Sequence, residues 1–129
     1  MITIIIMRLS KSTIKFLVPT EIENESEMET ISIVRGSTIR LSCVATGIPL
    51  PSIKWLQDGE PVSSNGKDNH KLSETELQIS NVDSTDAGQY ICRAKNGIGA
   101  AREKRFEISV IGKVKREFIR NPFRVIASP

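Results

Sequence analysis

The amino-acid sequence predicts an all-β domain folded as a two-sheet antiparallel sandwich. Three features lead to this prediction: short segments in which apolar and polar residues alternate, frequent turn residues between those segments, and no segment with convincing helical periodicity. The chain has 129 residues, of which 39% are apolar. That content suits one domain with a single modest core and some residues to spare at its ends.

The predicted strands follow one another from Met28 onward. In each of them every second residue faces inward, and Gly, Pro, Asn or Asp residues bound the segment. The inward residues of successive strands are Ile31 and Ile33; Ile39, Leu41, Cys43 and Ala45; Ile53 and Trp55; Leu77 and Ile79; Tyr90, Cys92 and Ala94; and Phe106, Ile108 and Val110. Loops or turns are expected at 47–51, 58–59 and 81–88, and the polar stretch 63–71 predicts a loop or a weak edge strand.

Cys43, Trp55 and Cys92 mark the centre of the predicted core. All three fall on the inward parity of their strands. Two strands in facing sheets can be bridged only if both sulfur atoms point into the space between the sheets, which is about 10 Å thick. An indole beside the two cysteines fills volume that small residues would leave empty. Tyr90, two residues before Cys92, is placed so that its hydroxyl can reach the preceding turn.

Six separate stretches resemble the immunoglobulin superfamily in the correct order, and they are most similar to its intermediate, or I-type, set. They are residues 36–43, 47–51, 54–59, 77–79, 86–92 and 94–99, within a domain of residues 28–111. The resemblance implies an immunoglobulin-like Greek-key sandwich with Trp55, Tyr90 and Leu77 in its core. It also implies a disulfide bond between Cys43 and Cys92. The alternative is a pair of buried thiols, as in the I-type domains of muscle proteins such as titin.

Residues 1–27 are expected to form a poorly ordered leader or linker. Glu recurs at every second position from Glu21 to Glu29, and such charge density resists packing. Within this segment Asn24 begins an Asn-Glu-Ser triplet that fits the N-glycosylation pattern. The start of the chain lacks the features of a secretory signal, so the chain is either intracellular or lacks its true beginning, and the second alternative is favoured. No segment has the run of about 18 apolar residues that a membrane span needs.

Residues 112–129 form a basic tail. From Arg102 to the end of the chain, eight basic residues stand against three acidic ones. Such charge can attract an acidic polysaccharide. Nucleic acid is not expected as a partner, because neither an aromatic stacking platform nor a recognition helix accompanies the charge.

The sequence has no recognisable catalytic, metal-binding or cofactor-binding motif. His70, the one histidine, is expected in a surface loop with no nucleophile beside it. Asp83 and Asp86 are interpreted as residues that organise a turn by accepting backbone N–H bonds. We therefore expect no enzyme activity, no bound metal and no cofactor.

Strand parity also predicts a binding surface. If Trp55, Tyr90 and Cys92 point inward, their neighbours along the same strands point outward. The outward residues predicted to contact a partner are Lys54, Leu56, Ile91, Arg93, Lys95 and Arg105. Apolar side chains within a charged surround are typical of a protein-binding patch. The alternative is that single exposed apolar residues have no function at all.

The resemblance implies a function in protein binding. The expected protein is a cell-surface or secreted adhesion or receptor molecule, of which this domain is a fragment, with homophilic or heterophilic partners. The alternative is an intracellular structural module of the titin kind, located in the cytoplasm within the sarcomere. An oxidised disulfide and a glycan on Asn24 would favour the first, so masses measured under reducing and non-reducing conditions would separate the two.

Overall fold

The computed structural model describes residues 4–8 and 14–112, and most of these residues lie in β-strands. The strands are β1 (Ile5–Arg8), β2 (Ile14–Ile22), β3 (Glu29–Val34), β4 (Ile39–Ser42), β5 (Ala45–Ile48), β6 (Ser52–Gln57), β7 (Glu60–Pro61), β8 (His70–Leu72), β9 (Glu76–Ile79), β10 (Gly88–Lys95) and β11 (Arg102–Ile111). Two single-turn 3-10 helices cover Val62–Ser64 and Ser84–Asp86. The described residues contain no helix that is long and apolar enough to cross a membrane.

Two layers of strands enclose the core. The larger sheet has the order β3-β11-β10-β6-β7, and the opposite layer consists of β4-β9-β8 and β1-β2-β5. These two smaller sheets are continuous along the chain because only Cys43 and Val44 separate β4 from β5. Every pairing is antiparallel except that of β3 with β11, which is parallel. The predicted all-β sandwich is confirmed.

The core lies between the layers and is centred on the disulfide bond between Cys43 and Cys92. Trp55 packs against Phe106 with their ring centroids 5.6 Å apart. Both aromatic side chains are buried, and full burial of a large apolar side chain contributes roughly 1.5–3 kcal/mol relative to exposure. The Tyr90 hydroxyl donates a hydrogen bond of 2.7 Å to the backbone oxygen of Asp86, and burial raises the pKa of this hydroxyl.

The hairpin of β6 and β7 is closed by a two-residue turn. Asp58 and Gly59 have φ angles of 48° and 88°, which match the type I′ turn that suits the twist of paired strands. The Asp58 carboxylate then accepts a hydrogen bond of 3.0 Å from the Gln89 N–H. This contact fastens the turn to β10, so the three strands β7, β6 and β10 are held in register.

The structure differs from the sequence-based expectation at β2, which lies within the predicted connector of residues 1–27. This strand pairs with β5, and Thr20 and Ile22 are buried. Of the regularly spaced glutamates only Glu21 lies in β2. Thr20 and Ile22, on either side of Glu21, face the core, which is the alternation of a half-buried strand.

Candidate protein-binding face

The outward face of β6, β10 and β11 is built from cross-strand rows. In antiparallel pairs, directly opposite residues have Cβ atoms about 4.5–5.5 Å apart, so their side chains interact. The rows are Leu56, Ile91 and Arg105; Lys54, Arg93 and Glu103; and Ser52 with Lys95. We call these eight residues the outer face. It includes all six of the residues predicted to bind a partner.

The exposure of the outer face corrects one part of that prediction. Lys54, Arg93, Lys95 and Arg105 are exposed, and Ile91 is half-buried. Leu56, however, was expected to be exposed but retains only 6% of its accessible surface. Its register explains the difference, because Ile91 lies opposite it on β10 and Pro61 lies opposite it on β7. Neighbours on both sides cover a residue that alternation alone places on the surface.

The outer face has more cations than its carboxylates neutralise. Arg93 donates hydrogen bonds to Glu103, with Nε 2.7 Å from Oε2, and Arg105 lies 4.0 Å from the same carboxylate. Sequence reasoning missed Glu103, although its alternation with Arg105 along β11 was a usable signal.

Lys54 and Lys95 form no ion pair within the part of the chain that the structure describes. Lys54 also lies directly opposite Arg93, and like charges in that arrangement are destabilising. Glu103 balances the charge of Arg93, so the row keeps one positive charge, that of Lys54, which has no carboxylate partner among the described residues. The surface therefore suits a partner that supplies negative charge or hydrogen-bond acceptors.

Asn24 lies at the turn between β2 and β3, in a depression that it shares with Glu29, Val44 and Lys104. It is exposed and has a φ angle of 55°, so the glycosylation triplet is accessible. Glu25 beside it accepts hydrogen bonds of 2.8 Å at both carboxylate oxygens from Arg102 Nε. The same carboxylate raises the pKa of the Arg102 guanidinium. This contact holds the turn against the first residue of β11.

Asp86 is the centre of a second polar cluster, at the opposite edge of the sandwich. Its buried carboxylate accepts hydrogen bonds from Lys67 Nζ at 3.0 Å, Asn69 Nδ2 at 3.0 Å and the Asp83 N–H at 2.9 Å. His70 Nε2 lies 2.8 Å from the same carboxylate. Burial by itself would raise the pKa of the Asp86 carboxyl, but these hydrogen bonds outweigh it and lower the pKa.

His70 is not the surface-loop residue that the sequence predicts. Its side chain retains 1% of its accessible surface, and it begins strand β8. Asn65 Oδ1 accepts from the Lys67 N–H, so Asn65 Nδ2 faces His70 Nδ1 at 2.9 Å. Because Asn65 Nδ2 donates to His70 Nδ1, the Nδ1 atom of a neutral imidazole carries no proton. The proton is then on Nε2, which donates a hydrogen bond to Asp86. The cluster is structural, because it ties edge strand β8 to the Ser84–Asp86 turn.

Asp83 and Asp86 have the turn-organising role that the sequence predicts. Asp83 Oδ1 accepts from the Thr85 N–H at 2.8 Å, and this contact is part of a capping box with Asp86. The hydrogen bonds from Thr85 lower the pKa of the Asp83 carboxyl. Among the described residues, no group of three or more His, Cys, Asp or Glu side chains is arranged to hold a metal ion. Of the predicted basic tail, residues 113–129 lie outside the described residues.

The fold and the outer face together define a class of protein: a disulfide-linked antiparallel sandwich that presents a charged sheet face. Comparison with known protein families identifies the class more closely. The family model described as "Immunoglobulin I-set domain" matches residues 22–110 of the chain. The chain therefore belongs to the immunoglobulin I-set family.

The chain is similar to curated relatives that include a cell adhesion molecule, and to solved structures that include a titin domain. It is 40% identical over 93 residues to human hemicentin-1, a match that covers 72% of this chain and 2% of hemicentin-1. It is 30% identical over 108 residues to rat neural cell adhesion molecule 1, covering 81% of this chain and 12% of that protein. The structure of titin domain M7 superimposes with a TM-score of 0.62 at 26% identity, covering 71% of this chain and 93% of M7. The chain thus spans only a small part of these curated relatives.

Proposed function

We propose that this chain is a protein-binding module of a cell-surface or secreted adhesion or receptor protein, and that its outer face contacts the partner. The observation that carries the proposal is the surplus of cations around the half-buried Ile91. Lys54 and Lys95 are exposed and have no ion pair within the described residues, and the fold gains nothing from placing Lys54 opposite Arg93. Partner binding gives these charges a use, because complementary charge steers association and selects partners.

The disulfide bond supports an extracellular location. Disulfide bonds persist in secreted and cell-surface proteins and are rare in the reducing cytosol. Cys43 and Cys92 are joined and fully buried. The name of one relative, neural cell adhesion molecule 1, is that of an adhesion protein. A glycan on the exposed Asn24 would add to this support.

Binding of the domain to cells, and to a second copy of itself, tests whether the outer face contacts a partner. Beads coated with the domain report homophilic association by aggregating, and fluorescent tetramers of the domain report heterophilic association by staining cultured cells. Ile91→Glu is expected to weaken whichever signal is present at least tenfold, because it places a carboxylate in the centre of the contact. Gln78→Glu is the matched control: it makes the same change of charge at a half-buried position on the opposite sheet. Equal binding by the two variants would contradict the proposal.

A titin-like structural module is the second candidate, favoured by the superposition on titin domain M7. In that case the domain acts as a spacer inside the cell, the cysteines are reduced and Asn24 carries no sugar. Intact mass of the protein from its natural tissue, with and without reductant and glycosidase, separates the two candidates. A gain of about 2 Da on reduction, from the two hydrogen atoms that the reductant adds when it cleaves one disulfide, supports the extracellular module.

The basic tail, residues 112–129, is proposed as a secondary site for an acidic polysaccharide. Retention on a heparin column would test this: the full chain is expected to elute at higher salt than a chain that ends at Gly112. Equal elution would contradict it.

A further inference from the structure

The larger sheet has an open edge beside β6. Its outermost strand, β7, pairs with only Leu56 and Gln57. After Pro61 the chain leaves the sheet and forms the 3-10 turn Val62–Ser64. In the described part of the chain, Ser52, Ile53 and Lys54 are therefore paired with β10 alone. Pro61 has no N–H, so the pairing of Leu56 with Pro61 places the Val62 N–H opposite the Trp55 C=O.

The backbone of two residues in β6 points toward the open edge. In a two-residue hairpin the residues that flank the turn form a hydrogen-bonded pair, so the N–H and C=O of Gln57 point toward β7. The direction alternates along the strand, and the Asp58 N–H accordingly bonds to Gln89 on β10, at 2.9 Å. It follows that the backbone groups of Ile53 and Trp55 point away from β10. An unpaired edge of this kind is a template for a further strand.

A groove runs along this edge. A depression of about 100 Å³ is lined by Ile53, Lys54, Trp55, Ser63, Leu72 and Ser73. A second depression, of about 340 Å³, shares Ser63 and Leu72 with the first and continues toward His70. Leu72 lies on β8, across the groove from β6, and is 46% exposed. The groove therefore combines unpaired backbone on one wall with an exposed apolar side chain on the other.

The charges along the groove differ at its two ends. At the β6 end the charged lining residue is Lys54, which has no ion pair among the described residues. In the second depression Lys67 is already paired with Asp86 at 3.0 Å, and Asp68 is exposed. An occupant is complementary when it places an acidic side chain beside Lys54 and an apolar one against Leu72.

We infer that this groove binds an extended peptide segment of a partner protein, which adds to β6 as a strand. Backbone hydrogen bonds to the N–H and C=O of Ile53 and to the N–H of Trp55 supply the attachment, and alternate side chains of the peptide supply the selectivity. The segment alternates apolar with polar residues and has an acidic residue at the position that meets Lys54. This contact goes beyond the proposed function, because it uses the edge of the sheet, whereas the proposed function uses the outer face.

A peptide library displayed on phage tests the inference directly. The 12-residue library is selected on the intact chain, and the enriched sequences are made as peptides. We expect them to alternate apolar with polar residues and to contain Asp or Glu. Trp55, the one tryptophan in the chain, lines the groove, so its fluorescence is expected to change on binding and to yield the dissociation constant.

Variants of the protein and of the peptide separate strand addition from other modes of binding. Leu72→Arg places a bulky cation in the groove at an exposed position and is expected to raise the dissociation constant at least tenfold. Peptides that are N-methylated at the residues facing β6 cannot donate backbone hydrogen bonds to it. We expect their dissociation constants to be at least tenfold higher. Lys54→Glu is expected to weaken binding of the acidic peptides by a similar factor.

Two results would overturn the inference. One is a selection that enriches no alternating acidic sequences, and the other is equal binding of the enriched peptides to Leu72→Arg and to the unmodified protein. The unfolding midpoint of Leu72→Arg shows that a loss of binding is not a loss of fold. Ile91→Glu distinguishes this site from the outer face: it is expected to leave peptide binding within twofold while it weakens binding to cells or to a second copy.

Discussion

Replacing Asp86 by Ala tests the polar cluster at the edge of the sandwich. The Asp86 carboxylate accepts from four groups, and two of these keep other partners when it is removed. Lys67 Nζ also donates to the backbone oxygen of Thr85 at 2.9 Å, and Asn69 Nδ2 donates to that of Ser80 at 3.0 Å. The other two donors, His70 Nε2 and the Asp83 N–H, have no replacement partner among the hydrogen bonds of the described residues.

The expected loss follows from those two donors. A buried polar group left without a partner costs about 1–3 kcal/mol. Two such groups give a loss of about 2–6 kcal/mol in the free energy of unfolding, a range that includes the roughly 3–5 kcal/mol found when one partner of a buried charged pair is removed. Since domains of this size are stable by only about 5–15 kcal/mol in total, the variant should be only marginally folded.

Urea unfolding followed by Trp55 fluorescence measures this loss. Asp68→Ala is the matched control, because Asp68 is exposed in the same loop and its replacement should change stability by about 0.5 kcal/mol or less. The slope of the unfolding free energy against urea concentration should be the same for the two variants, so that their unfolding midpoints can be compared. A loss below about 1 kcal/mol for Asp86→Ala would refute the reasoning, because it would mean that the buried donors find other partners at little cost.

Three further predictions concern pH, the disulfide bond and a buried lysine. The pKa of Asp86 is lowered in the folded protein, so its stabilising effect is present above the ordinary value of 3.8 and lost as the pH falls below it. Urea titrations from pH 7 to pH 3 should show this loss of stability, and the loss should be smaller for Asp86→Asn. Equal acid sensitivity of the two proteins would contradict a stabilising role for the Asp86 carboxylate. Cys43 and Cys92 are 49 residues apart, so reduction should lower the free energy of unfolding by about 4 kcal/mol on the chain-entropy model; urea unfolding with and without reductant measures this, and unchanged midpoints would argue against it. Lys104 is buried, with Nζ 2.8 Å from Glu29 and 5.2 Å from the Phe106 ring centroid. Lys104→Met keeps the packing and leaves Glu29 hydrated, so thermal unfolding should show a change within about 1 kcal/mol, and a loss above about 3 kcal/mol would show that the ion pair matters more than packing.

The sequence predicts the centre of the fold well because local alternation and burial agree there. Cys43, Trp55 and Cys92 each follow the inward parity of a strand, and each is covered from both layers. The alternation of β10 is unambiguous since Tyr90 and Ala94 continue the same inward set. The same parity correctly places Lys54, Arg93 and Lys95 on the surface.

The edges of the sandwich are less predictable because contacts distant in sequence decide them. Leu56 is buried by Ile91 from a strand more than thirty residues away, which alternation within β6 cannot reveal. His70 is buried by Asp86, across a separation of 16 residues, in a stretch whose composition is that of a loop. At the end of β2, the series of glutamates that begins with Glu21 predicts solvation, whereas Thr20 and Ile22, on either side of Glu21, are buried.

The parallel pairing of β3 with β11 has a consequence for longer assemblies. β3 begins opposite Phe106, near the middle of β11, and ends opposite Ile111, so both strands run toward the same end of the sandwich. The ten residues of β11 extend over about 33 Å at the usual rise of a strand. A module that followed β11 would lie beyond that end, in line with the strands and not beside them. The outer face would then be repeated along the flank of a rod, where many weak contacts with a facing rod could act together.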